Sequence, residues 1–272
     1  MQQNFEEQWQ NLTLADDFLF GKVMRDAELC TEMLRRILPE VDIGKIKFLQ
    51  TQKSSRHTLD TRGIRLDVFG NSDNRKIFDC EIQTEMKKDF SKRSRAYHIV
   101  VGLDALNKKS LKKSGSYKDL PDAFVIFICT FDPFGYGRHI YTFTNICNED
   151  KNLKLGDGAF TIFLNTEGKM DDVTPELKNF LDFVAGRKTN GDSFIDKLDE
   201  KLQEAKQNAK WRQEYMLLLM REQEKFAEGY AEGEEQGRKQ GREQERQSIF
   251  EKLVASGIDK VKAALITGIN LS

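Results

Sequence analysis

The chain has 272 residues, and its 43 Lys and Arg against 44 Asp and Glu give a formal net charge of -1. That length holds one sizeable core plus an appendage, and so balanced a charge speaks neither for nor against a nucleic-acid partner. The longest apolar run, AFVIFIC at 123–129, is far too short to span a membrane. The opening MQQNFEEQWQ is polar and acidic, unlike a signal peptide. Cys30, Cys80, Cys129 and Cys147 show no C-x-x-C spacing and read as reduced thiols of a cytoplasmic protein.

After a polar lead, Phe20, Val23 and Met24 share a helical face. A second helix carries Leu29, Cys30, Met33, Leu34, Ile37 and Leu38 on one side and ends at Pro39. IKFLQTQ (46–52) reads as a first strand, followed by two strands, GIRLDVFG and IFDCEIQTE, on either side of the polar turn NSDNRK. A basic helix is expected near 88–107. AFVIFIC follows, apolar throughout, as a central strand buried on both faces must be. HIYTFTNI (139–146) and AFTIFLN (159–165) are further strands. A helix then starts with Thr174 as N-cap and Pro175 in its first turn, and stops at Gly186.

From about residue 188 proline disappears and charge dominates. Ile195, Leu198, Leu202, Ala205 and Ala209 recur every three or four residues, a seam on a long helix that continues through Trp211, Tyr215, Leu218 and Leu219. Gly229, Gly233, Gly237 and Gly241 follow at intervals of four. Each exposed helical glycine costs about 1 kcal/mol relative to alanine, so the stripe marks either close approach of a second helix or a solvated linker. Two short apolar-periodic pieces broken at Gly257 and Gly268 end the chain.

The chemistry-bearing pattern is the acid pair. Pairing Phe69 with Asp79 across a loop centred on Asp73 and Asn74 sets Asp67 opposite Glu81, and Gln83 projects from the same sheet face. Two carboxylates beside an amide form an oxygen-rich pocket of the kind a hard divalent cation prefers. Arg93 and Tyr97 are one helical turn apart. Residues 86–118 hold ten Lys or Arg against Asp89 and Asp104, a local field suited to a nucleic-acid backbone. Tyr97 either joins that surface or packs its ring on the sheet. Asp17 is either a site acid or a helix-start acid favoured by the dipole. His57, His98 and His139 are scattered, and no P-loop, G-x-G-x-x-G or nucleophile elbow is present.

The Asp…Glu-x-Gln arrangement resembles the PD-(D/E)xK nuclease superfamily, in which one strand gives an Asp and the next a Glu-x-Lys pair. DDFLFGKVM (16–24), FSKRSRAYH (90–98), DAFVIFICTFDPFGYGRHIYTF (122–143) and LGDGAFTIFLN (155–165) are similar to segments of one branch, the Rpn-type recombination-promoting nucleases or PD-(D/E)xK family transposases. The resemblance covers roughly 12–190. It departs from the wider superfamily at Gln83, which stands where Lys is usual, although Glu-x-Gln is common in the branch.

The resemblance implies an α/β fold, a restriction-endonuclease-like αβββαβ core with a mixed sheet, over 12–190. A charged helical extension would fill 191–250 and a short helical segment 251–272. It implies a DNA endonuclease dependent on Mg2+ or Mn2+, acting in recombination, mobile-element biology or defence. Asp67, Glu81 and the backbone carbonyl of Ile82 would hold the metal, Gln83 and Asp17 would assist, and Arg93, Arg95 and Tyr97 would contact DNA. The alternative is a nuclease-derived DNA-binding or regulatory protein, its catalysis lost with the lysine. Further partners implied are a second copy through 195–241 and a C-terminal fragment of the same gene, with Met216 and Met220 as candidate internal starts.

Overall fold

The computed structural model describes residues 2–55, 64–86, 89–106 and 116–270. His57, Lys87, Lys88 and the NKKSLKK run at 107–113 lie outside the described residues. The chain divides into two units, Met1–Arg212 and Gln213–Ser272.

In the first unit α1 (Gln2–Asn11), α2 (Asp17–Val23) and α3 (Ala27–Ile37) precede β1 (Ile46–Ser55), β2 (Ile64–Ser72) and β3 (Lys76–Gln83). Then come α4 (Phe90–Leu106), a 3-10 turn at Tyr117–Asp119, β4 (Asp122–Cys129), β5 (Ile140–Phe143), β6 (Ala159–Asn165), α5 (Pro175–Val184) and α6 (Ser193–Gln207). α7 (Ala209–Ala255) runs on into the second unit, which ends with α8 (Lys260–Thr267), making eight helices among the described residues. The six strands form one mixed sheet in the order β1-β2-β3-β4-β6-β5. β3, β4 and β6 are parallel to one another, while β1, β2 and β5 join antiparallel. This is the α/β architecture with a mixed sheet and a long C-terminal helix that the sequence implied.

Strand parity sorts the core into two layers. On one face Phe69, Ile77, Val125, Phe127, Cys129 and Phe163 are covered by Phe90, Tyr97, Val100, Val101 and Ala105 of α4. Phe90 sits 5.2 Å from Phe127 and 5.1 Å from Phe163, centroid to centroid, and Tyr97 meets Phe127 edge-on at 5.5 Å. On the other face Val68, Phe78, Cys80, Ile82, Phe124, Ile126 and Ile128 are buried, and α2 and α3 pack there. β4 is buried from Phe124 to Cys129 because helices cover both of its sides.

Two sequence expectations need correction. The polar lead is a helix: α1 anchors through Trp9, fully buried, whose indole Nε1–H donates to the Lys206 carbonyl at 2.8 Å. The apolar seam is not one helix, since α6 ends at Gln207 with Asn208 in an extended conformation. Ile195, Leu198, Leu202 and Ala205 are buried within the first unit, where α6 packs on α2, α3 and α5. Those four positions are therefore taken up inside the chain rather than offered to a second copy.

Asp192 ties three helices together. Its carboxylate caps α6 by accepting the Phe194 and Ile195 amides and accepts the Asn179 side-chain amide of α5. It also makes a two-pronged bond with Arg36 of α3, at 2.6 and 2.7 Å. The two side chains are only 9% and 7% exposed. The Arg36 guanidinium holds the Asp192 carboxyl down from 3.8 to about 2. A depressed carboxyl stabilises the fold above its unfolded pKa, and that contribution is lost as pH falls through the folded value. Asp192→Asn removes the buried partner of Arg36, leaving it the longer contact to the more exposed Glu32 at 3.4 Å, and should destabilise by about 3 kcal/mol at neutral pH. In urea melts the gap from wild type should close as pH falls from about 4 towards 2; a gap independent of pH would show that the charge is not what matters.

Candidate active site

The site begins where two strands part. The β2–β3 ladder runs from Asn71–Ile77 through Phe69–Asp79 to Val68–Cys80 among the described residues. β2 meanwhile stays paired with β1 as far as Ile64, and β3 stays paired with β4 as far as Gln83. Beyond Val68–Cys80, side chains take over the bridging. The Asp67 amide donates to Glu81 Oε1 at 2.9 Å, and the Ile82 amide donates to Asp67 Oδ2 at 3.3 Å. Each carboxylate thus accepts a backbone N–H of the opposite strand. Extending the register by one residue sets Asp67 opposite Glu81, as the alternation of the sequence predicts.

The same lock orients Ile82. A strand residue directs its N–H and C=O to the same edge. The Ile82 amide faces Asp67, so its carbonyl opens towards that gap too. Gln83 faces the other way, accepting the Thr130 amide from the β4 side.

Burial makes this a costly place for negative charge. Asp67 is 5% exposed, Glu81 2% and Asp79, two residues before Glu81 on the same face, 0%. The Glu81 carboxyl is pushed well above the ordinary range, first by burial and then by Asp79 and Asp67; hydrogen bonds from the Asp67 amide and the Tyr97 hydroxyl oppose the rise. Burial and the neighbouring Glu81 also raise the Tyr97 phenol, keeping it a donor.

α4 supplies the other half. Tyr97 is placed by its edge-on contact with Phe127, the residue beside Glu81 in the β3–β4 register. One turn earlier, Arg93 Nη2 donates to the Tyr97 hydroxyl at 3.1 Å and Nη1 donates to Gln83 Oε1 at 2.9 Å. A continuous chain therefore runs from Gln83 through Arg93 and Tyr97 to Glu81. Arg93 and Tyr97 do share a face, but it looks into the sheet: Tyr97 is buried and Arg93 is half-buried against Gln83, while Arg95 is exposed. The Arg93–Gln83 contact was not foreseen from sequence. Asp17 occupies the first turn of α2 beside the N-cap Asp16, whose side chain accepts the Leu19 amide.

These groups fit a hard cation by their chemistry. The donor set is two carboxylates and a backbone carbonyl, all oxygen, and a divalent charge would relieve the repulsion that raises Glu81. Among the described residues no group of three or more His, Cys, Asp or Glu side chains is arranged to hold a metal by itself, so a cation here would need Asp67, Glu81 and the Ile82 carbonyl together.

A model of the PD-(D/E)XK nuclease family transposases matches residues 17–233. The chain belongs to this family. The match contains the whole sheet, α4 and the Asp67–Glu81 lock, and it supports a nuclease-like function for this PD-(D/E)XK protein. No curated protein and no solved structure matches the chain. No helix among the described residues is long and apolar enough to cross a membrane.

The raised Glu81 carboxyl has a measurable sign. An acid whose folded pKa lies above its unfolded value opposes folding increasingly as pH rises from the unfolded value to the folded one. Glu81→Gln should therefore melt a few degrees above wild type at pH 8 in EDTA, at about 2–4 °C per kcal/mol for a domain of this size. The difference should vanish near pH 4. A variant that melts below wild type at pH 8 would show that the ionised carboxylate is a net support of the fold.

Proposed function

We propose that the protein is a metal-dependent DNA endonuclease, using Mg2+ or Mn2+ and choosing little by sequence, with a role in recombination, mobile-element biology or defence. The observation that carries this reading is the reciprocal Asp67–Glu81 lock of two buried carboxylates at one gap between strands, towards which the direction of the Ile82 amide also turns its carbonyl. In this reading Asp67, Glu81 and Ile82 hold the cation. Bound there, a divalent ion supplies the positive charge that hydrolysis of an anionic phosphodiester requires. Tyr97 steadies Glu81, and Gln83 offers its amide N–H groups to the attacking water or to a phosphate oxygen; Asp17 lies on α2, which packs on the other face of the same strands. Arg95 and the basic residues around α4 engage the backbone, which gives affinity without sequence choice.

Purified protein incubated with supercoiled plasmid and Mg2+ or Mn2+ tests this. Wild type should nick, and Asp67→Ala, Glu81→Ala or the pair should lose at least about 10³-fold, since the loss removes the charge on which the reaction depends. Wild type that nicks no better than the double variant yet binds DNA with a steep salt dependence would instead favour a DNA-binding or regulatory protein, the reading that the absent lysine at Gln83 suggests.

We also infer that the Gln213–Ser272 unit pairs with a second copy or with a C-terminal fragment of the same gene. α7 exposes Met216, Met220, Phe226 and Tyr230. Gly229, Gly233, Gly237 and Gly241 have nothing within 4 Å of an added Cβ, so another backbone has room to approach. A spacing of four drifts about 40° per step on a helix of 3.6 residues per turn, which suits a crossing contact rather than a long parallel seam. The full chain should sediment as a dimer at micromolar concentration and a chain ending at Arg212 as a monomer; two monomers would make this helix a linker.

A further inference from the structure

Gln83 occupies the position where a lysine would bring positive charge, and a neutral amide offers both donors and an acceptor instead. The structure removes half of that ambiguity. Arg93 Nη1 donates to Gln83 Oε1 at 2.9 Å, and because a guanidinium has no acceptor, only the carbonyl end of the amide can face it. With its oxygen engaged and polarised by an adjacent cation, Gln83 turns its N–H groups away from Arg93. The residue is 8% exposed, so the orientation is held in a largely dry setting where such polarisation is strong.

We propose that Arg93 is a positioning residue that acts through Gln83: it fixes the amide as a donor and supplies, one bond removed, the positive charge that a lysine would carry. This rests on the nuclease reading above and deepens it. The neighbouring geometry supports the division of labour. Arg93 is itself fixed by Tyr97, through the bond to the hydroxyl and with its guanidinium carbon 5.8 Å from the ring centroid. Tyr97 is fixed by Phe127. The cation is thus carried by α4 while the donor is carried by β3, and the two meet at one hydrogen bond. Arg95, exposed two residues along the same helix, has no such contact with Gln83 and serves as the comparison.

A double-mutant cycle in the full chain separates action through Gln83 from other roles. Arg93→Gln should lower single-turnover plasmid nicking by about 10²-fold, the usual loss when one donor to developing charge is removed, with affinity for a DNA duplex in Ca2+ unchanged. In a Gln83→Lys background the same Arg93→Gln change should be neutral or should raise nicking, because the lysine brings its own charge and no longer faces a second cation. Arg95→Gln, which keeps the Gln83 contact, should lower single-turnover nicking less than Arg93→Gln. Losses that agree within about twofold in the two backgrounds, as for independent sites, would overturn the proposal. So would an affinity for DNA that falls as far as the rate does.

A second readout needs no turnover. The Gln83 side-chain NH2 signals, identified by their absence in Gln83→Leu, should shift when a duplex binds in Ca2+, and should not shift in Arg93→Gln. Unmoved signals in wild type with duplex bound would overturn the proposal. Wild type that binds DNA and shows the shift yet never nicks would sink the nuclease reading and leave the Arg93–Gln83 assignment standing.

Discussion

Everything at the site depends on two carboxylates that each accept a backbone N–H of the opposite strand. Where β2 and β3 part, their edge N–H groups lose ladder partners, and a buried unpaired N–H costs free energy comparable to a lost hydrogen bond. Asp67 and Glu81 satisfy the opposite strand instead. The parting opens the gap, the gap turns the Ile82 carbonyl inward, and the carboxylates that close it are the same groups that gather oxygen there. Fold and site are in this sense one constraint: a chain that zipped β2 and β3 fully would have no gap, and one without the acids would leave its edges unpaired.

The same arrangement explains why the charge imbalance is tolerated. Asp67, Asp79 and Glu81 lie on one sheet face beneath α4, and burial together with their mutual repulsion drives the Glu81 carboxyl up. Electrostatic strain of this kind belongs to functional sites more than to cores, where apolar residues of similar size would pack without it. The surrounding aromatic layer bears the load, with Phe90, Phe127 and Phe163 stacked or tilted within 5.0–5.2 Å of one another.

Much of this was legible in the sequence because it follows from periodicity. Alternation in GIRLDVFG and IFDCEIQTE fixed the Phe69–Asp79 register, and an apolar AFVIFIC fixed β4 at the centre. The Thr174 cap and the Gly186 stop bound α5 as expected, with Gly186 at a φ of 74°. What was not legible depended on distant partners. α1 looks like a polar lead because its anchor is the single Trp9, whose partner is Lys206, 197 residues away. The break after Gln207 is invisible in a seam whose spacing continues across it. Spacing also showed that Arg93 and Tyr97 share a face, but not which way the face looks. The second half of α4 is apolar on more than one side, exposing Ile99, Leu103 and Leu106 as well as burying Val100 and Val101, so the orientation of the helix is settled by the aromatic layer and not by its own pattern.

That last point bears on how the site is divided between elements. A Glu-x-Lys pair places acid and cation on one strand, two residues apart, and their relation is fixed by the backbone of that strand. Here the acid and the amide sit on β3 while the cation that meets the amide, Arg93, sits on α4. The distance between negative and positive groups is then a matter of tertiary packing, set by Tyr97 against Phe127 and by Phe90 against Phe127 and Phe163. Interiors are close-packed and transmit a lost methylene to their neighbours. A change at Phe127 or Phe163 that leaves Asp67, Glu81 and Gln83 untouched therefore reaches the site through the tilt of α4, by moving the guanidinium off the amide it holds.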